Sequence, residues 1–159
     1  MEKKQFDFHE IKTFEDACRH LGISEGTELL VVFSGDMEAF LQANAFYKLM
    51  IIQKAINNGV SRDKNGQTYN TYWILYTMDE MKSMSGKEKL SKGVKHILSC
   101  TCADLSMYSG VGNLFALNRD AEPILNMSFP FCFNSEEAAL YAAQQFESLF
   151  FDYYGIKVK

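Results

Sequence analysis

A period-two run of apolar side chains from Leu125 to Phe133, passing through Asn134 and Ser135 into a long apolar-striped segment that ends near Tyr154, limits the folds open to this chain more than any other feature. Successive side chains of a strand point to opposite faces. Leu125, Met127, Phe129, Phe131 and Phe133 therefore share one face, and Asn126, Ser128 and Asn134 the other. Burying one Phe is worth about 1.5–3 kcal/mol before entropy is counted, so this row is expected to be a main part of the core. Pro130 lacks an amide donor and marks an edge strand or a bulge. In the segment that follows, Asn134 is placed to cap a helix with Glu137 in the capping-box position, and Ala138, Ala142, Phe146, Leu149 and Tyr153 form its stripe. Its small residues Ala138, Ala139, Ala142 and Ala143 let the first half lie close against a sheet.

A strand leading into an amphipathic helix needs further layers to cover both, and the rest of the chain contains candidates. Thr13 and Asp16 have the spacing of a capping box for a short helix with Phe14, Ala17, Cys18 and Leu21 on one face and Gly22 at its end. Glu28 to Phe33 reads as a short strand. From Asp36 a longer helix places Leu41, Ala45, Leu49, Ile52 and Ile56 at intervals of three or four, with Asn57-Asn58-Gly59 as its stop. Phe40, Phe46, Tyr47, Met50 and Ile51 widen its apolar face beyond one stripe. Such a helix is buried on two sides, in the centre of a domain or partly at an oligomer interface.

Residues 61 to 68 form a polar turn before Tyr69 to Thr77, whose aromatic and β-branched content suits a strand with Tyr72, Ile74 and Tyr76 on one face and Tyr69, Trp73 and Leu75 on the other. Residues 78 to 93 read as a mobile or inserted loop, opened by a helical turn through Met78, Met81 and Met84. Apolar segments at Val94 to Cys102, Leu105 to Tyr108, Leu114 to Leu117 and Ile124 to Phe133 follow, with Gly110-Val111-Gly112 placed as a hairpin turn. Connections this short suggest an antiparallel meander. The expected fold is α+β in one domain over residues 1–159: an antiparallel sheet of about four to five strands, two main helices and a short N-terminal helix.

Composition excludes several function classes. A formal charge of -4 and a pI near 5.4 argue against a general polyanion binder. The basic stretch from Lys82 to Lys95, with Lys87, Lys89 and Lys92, contains Glu88 and no Arg, and reads as a solvated loop. No run approaches the roughly 18 apolar residues of a membrane span. Four cysteines, with no apolar leader after Met1-Glu2-Lys3-Lys4, fit a soluble protein of a reducing bacterial cytoplasm.

Chemistry-bearing constellations are sparse. Cys100-Thr101-Cys102 puts two thiols on one strand face, but zinc sites use wider spacing and a second ligand pair, so buried thiols are the expected reading. Cys18 and His20 point away from each other on a helix. Glu136-Glu137 suits the positive end of a helix, and Asp79-Glu80 is expected to be solvated. No metal, cofactor or catalytic residue is expected. The candidate binding surface is Tyr69, Tyr72, Trp73 and Tyr76 with Lys87, Lys89 and Lys92, where rings and cations together suit stacking on a single strand of nucleic acid. The acidic balance disfavours that use, and most of the rings are expected in the core.

Three segments carry a resemblance: Thr13 to Cys18 with Leu21-Gly22, Phe46 to Leu49 with Ala55 to Gly59, and Phe133 to Ala138 with Gln145 to Leu149. Together, in this order, they resemble a group of small uncharacterised proteins of gut Bacteroidales and their phages, over the first sixty and last thirty residues. The middle departs from that group: Tyr69 to Thr77 has no proline, and a segment rich in Lys and Met follows. The resemblance implies no catalytic residue. It implies a non-enzymatic accessory protein of a phage or mobile element that binds a host or phage protein and self-associates through an apolar helix face. A single-stranded nucleic-acid binder and a small-molecule binder with its pocket between sheet and helix are the alternatives.

Overall fold

In the computed structural model, residues 6–24, 36–59, 68–101, 105–118 and 131–159 are described. The expected strand at Glu28 to Phe33, most of the polar turn, Cys102, and Leu125, Met127, Phe129 and Pro130 of the apolar row lie outside the described residues.

Helix α1 (Phe14–Leu21) starts where the Thr13 hydroxyl accepts from the Asp16 amide and the Asp16 carboxylate accepts from the Thr13 amide. This reciprocal pair satisfies amides that no intrahelical carbonyl can reach. Gly22, at φ 65°, turns the chain out, its amide and that of Ile23 returning to the Arg19 and Cys18 carbonyls. The Arg19 guanidinium and the backbone amides hold the Asp16 carboxyl below the usual carboxylate range. Thr13→Ala is expected to cost about 1 kcal/mol, read as a lower urea midpoint at pH 7. Because the folded-state pKa of Asp16 is depressed, its share of the box is present above pH 3.8 and is lost as the pH falls below that value.

Helix α2 (Met37–Ile56) is capped by Asp36, whose carboxylate accepts from the Glu38 and Ala39 amides. It ends at Asn57, followed by Asn58 and Gly59 at positive φ. Strand β1 (Tyr69–Thr77), the short helices α3 (Met78–Ser83) and α4 (Gly86–Ser91), and strands β2 (Lys95–Cys100) and β3 (Tyr108–Asn118) come next. Helices α5 (Glu136–Gln145) and α6 (Glu147–Tyr153) and strand β4 (Ile156–Val158) close the chain. The fold is α+β, with a four-stranded antiparallel sheet of order β1-β3-β2-β4.

That order corrects the meander, since β1 pairs with β3 and the chain from β1 to β2 runs through α3 and α4. The reason lies in two glycines. Gly110 and Gly112 form no turn; they sit inside β3, opposite Tyr76 and Ile74. A Cβ on Gly110 would overlap the Met81 thioether of α3, and one on Gly112 would lie 2.8 Å from the Lys92 carbonyl oxygen. Bare backbone at these positions lets the α3–α4 segment lie directly on the sheet. Just after Gly112, Asn113 bulges out at φ 47°, shifts the pairing between Trp73↔Leu114 and Ile74↔Gly112, and donates its amide to the Lys92 carbonyl at 2.7 Å.

The closing helix is two helices. Phe146, at φ -114°, ends α5 and precedes α6, which has no side-chain cap. The cap of α5 is Ser135, accepting from the Ala138 amide, one residue later than expected. Ala138, Ala139, Ala142 and Ala143 are buried, and their small size lets α5 approach β1 and β3. Thr71, Trp73 and Leu75 of β1 and Val111 and Ala116 of β3 are buried on this side. Trp73 meets Phe150 and Phe151 of α6 at centroid distances of 5.5 and 5.8 Å. Phe131 and Phe133 are buried as the apolar row requires, and Phe133 exchanges two backbone hydrogen bonds with Tyr69. Helix α2 packs against α1 and α6.

Candidate functional site

The sequence-derived surface is largely interior. Tyr72, Trp73 and Tyr76 are only 3%, 2% and 5% exposed, and Tyr69 is half-buried. Both faces of β1 are covered: Trp73 lies against α6, Tyr72 stacks on Phe115 of β3 at 6.1 Å, and α3 packs on β1 and β3. Stacking a base requires an accessible ring face; Tyr72, Trp73 and Tyr76 offer none and belong to the core, and Tyr69 is half-buried.

The lysines lie on and after α4. Lys87 is exposed, whereas Lys89 and Lys92 are half-buried. Lys92 donates to the Glu88 carboxylate at 2.6 Å, an interaction that raises the lysine pKa and lowers that of Glu88. The segment from 78 to 93 contains two short capped helices. Thr77 and Glu80 form a capping box on α3, including the turn expected at Met78, and Ser85 accepts from the Glu88 amide on α4. Tyr76 and Lys92 are thus brought near each other, but together with Glu80 and Glu88 rather than beside an open positive groove.

Burial pushes the Tyr76 phenol up, against the opposing field of Lys92. Its hydroxyl is buried with no hydrogen-bond partner in good geometry, although the Asn113 side chain is close. An unmade bond to a buried hydroxyl costs more than removing the hydroxyl. Tyr76→Phe is therefore expected to raise stability by about 1 kcal/mol, read as a higher urea midpoint.

Cys18 is buried, while His20 stacks on Phe6 at 4.4 Å and its Nε2 lies 3.2 Å from Asn58 Oδ1, tying α1 to the end of α2. The Cys100 thiol lies 3.7 Å from the Tyr154 carbonyl oxygen.

The surface that stands out instead is α2. Met37, Leu41, Phe46 and Met50 are 72%, 49%, 37% and 48% exposed on a helix that contributes Ala45, Leu49, Ile52 and Ile56 to the core; Leu41 continues that buried stripe past the edge of the core, whereas Phe46 and Met50 lie off it. Its first half overhangs the turn between α6 and β4. There Gln42 donates to the Thr101 hydroxyl at 2.8 Å across Gly155, whose φ of 63° and missing Cβ permit the approach. Gln42 divides two hollows. One, of about 590 Å³, is lined by Asp36, Glu38, Ala39, Thr101, Tyr153 and Tyr154. The other, about 260 Å³, lies between Met37 and Leu41 on one side and Asp152, Ile156 and Lys157 on the other. Partial burial raises the Asp152 carboxyl, opposed by Lys157 and Lys48. The excess of apolar residues on α2 was the sequence signal for this surface; its floor, made by residues distant in sequence such as Thr101, Tyr153 and Ile156, had none.

No family model, curated protein or solved structure matches the chain. Among the described residues, no helix is long and apolar enough to cross a membrane.

Proposed function

We propose that this protein is a non-enzymatic accessory protein that acts by binding another polypeptide through helix α2. The observation that carries this reading is the exposure of Met37, Leu41, Phe46 and Met50 on the helix that also packs the core. A rigid helix with anchored backbone and uncovered large apolar side chains offers contact area at little ordering cost, the usual basis of helix-mediated recognition. The setting in a phage or mobile element rests on the resemblance of the terminal segments alone. Burial of Tyr72, Trp73 and Tyr76 removes the stacking platform on which the nucleic-acid reading depended.

A photo-reactive amino acid placed at Leu41, in the cells that carry the gene, tests the proposal, with Lys87 as the control position. Protease-sensitive, nuclease-resistant cross-links of discrete mass from position 41 are expected. Nuclease-sensitive adducts, or no adducts above the level seen from position 87, would overturn it.

A further inference from the structure

Helix α2 carries an ordered pattern on the side away from Leu41. Asp36, Ala39, Ala43, Phe46, Met50 and Lys54 succeed one another at intervals of three or four, which on a helix of 3.6 residues per turn sets them along one side. An acid and two small residues occupy the N-terminal half; two large apolar side chains and a base occupy the C-terminal half. Met50 and Lys54 are exposed, as is the capping residue Asp36; Phe46 is 37% exposed, with part of its ring against Phe131 and Tyr153, and Ala39 and Ala43 are half-buried.

Turned end for end about a two-fold axis between Ala43 and Phe46, this row is its own complement. We propose that the chain forms a symmetric dimer in which α2 of one copy lies antiparallel on α2 of the other; the proposal rests on the reading of α2 as a protein-binding surface. Phe46 of each copy covers Ala43 of the other, Met50 covers Ala39, and Lys54 faces Asp36. Large side chains then meet small ones, as close packing of two helices requires, and opposite charges meet at both ends. The antiparallel setting also opposes the two helix dipoles. A parallel pair would set Asp36 against Asp36 and Lys54 against Lys54, so charge selects the antiparallel form. Ala39 borders the hollow that Tyr153 and Tyr154 line. Met50 of the other copy therefore reaches the mouth of that hollow, where a flexible thioether packs well on aromatic rings. Such an interface is isologous, so it closes at two copies.

Sedimentation equilibrium of the full chain between about 1 and 100 µM tests this. The mass is expected to rise from 18.2 kDa towards twice that value. Ala43→Leu separates this packing from general stickiness: it adds apolar surface but fills the space that Phe46 of the other copy needs. It is expected to weaken association at least about tenfold, with the circular-dichroism melt retained. Asp36→Asn combined with Lys54→Gln keeps the helix cap while removing both charges, and is expected to weaken association about threefold or more. A monomer throughout the concentration range overturns the dimer, as does a dimer that either variant leaves equally tight or tighter. If the chain is monomeric yet position 41 still cross-links to a different polypeptide, the dimer fails and the protein-binding reading stands.

Discussion

Phe150→Ala is expected to lower the free energy of unfolding by about 3–5 kcal/mol, measured as a shift in urea midpoint at constant slope. Phe150 is 1% exposed and joins three parts of the core. Its ring lies 5.5 Å from Trp73 of β1 and 5.8 Å, edge-on, from Phe131 of the apolar row, while its own helix packs against α2. The backbone offers little relief, because α6 spans only seven residues and begins without a side-chain cap. A helix so short depends on tertiary packing to persist, so truncating its central contact leaves a cavity and also loosens the element that lined it. Set against a total stability of about 5–15 kcal/mol, that loss takes the protein close to its unfolding threshold. Phe46→Ala is the internal comparison. Phe46 also touches Phe131, at 5.5 Å, but is 37% exposed, and its truncation is expected to cost about 1 kcal/mol. If the two substitutions cost the same, α6 does not serve as the link between sheet and helices.

Local sequence rules read the helices well, because caps and stops act over a few residues. Thr13 with Asp16, Gly22, Asp36 and Asn57 mark α1 and α2 where they were expected. The alternation in Tyr69 to Thr77 assigned its two faces correctly, with Trp73 and Leu75 together on the side that α5 and α6 cover. Two features were harder to read, and the first depends on distant partners. Gly110 and Gly112 resemble turn residues locally, but they are in a strand because Met81 and the Lys92 carbonyl occupy the space above them. The break at Phe146 carries no Gly or Pro. A continuous apolar stripe crosses it, and nothing in the local sequence distinguishes one bent helix from two.

The candidate site was legible only as a surplus. Counting apolar positions on α2 showed more than one face could bury, but spacing alone does not say which of them remain open. That depends on where α1 and α6 pack. The aromatic strand misled for the converse reason. Tyr and Trp suit both a core and a binding face, and it was α3 and α6, at opposite faces of the sheet, that covered them.

Asn57→Ala is expected to destabilise the protein by about 2–3 kcal/mol, although the residue lies at the opposite end of α2 from the two hollows beside Gln42. Asn57 is 4% exposed at the end of α2, and its two amide atoms perform opposite tasks. The Nδ2 group donates to the Cys132 carbonyl at 3.0 Å, and Oδ1 accepts from the Asn134 amide at 3.1 Å. These bonds hold the backbone on either side of Phe133, which exchanges its own amide and carbonyl bonds with Tyr69. One side chain thereby fixes the chain between the apolar row and α5. Alanine removes both bonds and leaves the Asn134 amide without its partner, while Gln53 still reaches the Cys132 carbonyl at 2.6 Å. Asn57→Asp separates the two tasks. It keeps the acceptor for Asn134 but sets a carboxylate against a carbonyl at the negative end of α2. Burial beside those dipoles raises the folded-state pKa of that Asp above its unfolded value. Its cost is therefore smallest at low pH, where the protonated acid can still donate to Cys132, and grows as the pH rises through the folded pKa. The Asn57→Ala cost stays flat over the same range. Urea midpoints of both variants between pH 4 and 8 would show whether the donor bond to Cys132 carries the clamp; parallel curves would assign it to the Asn134 bond alone.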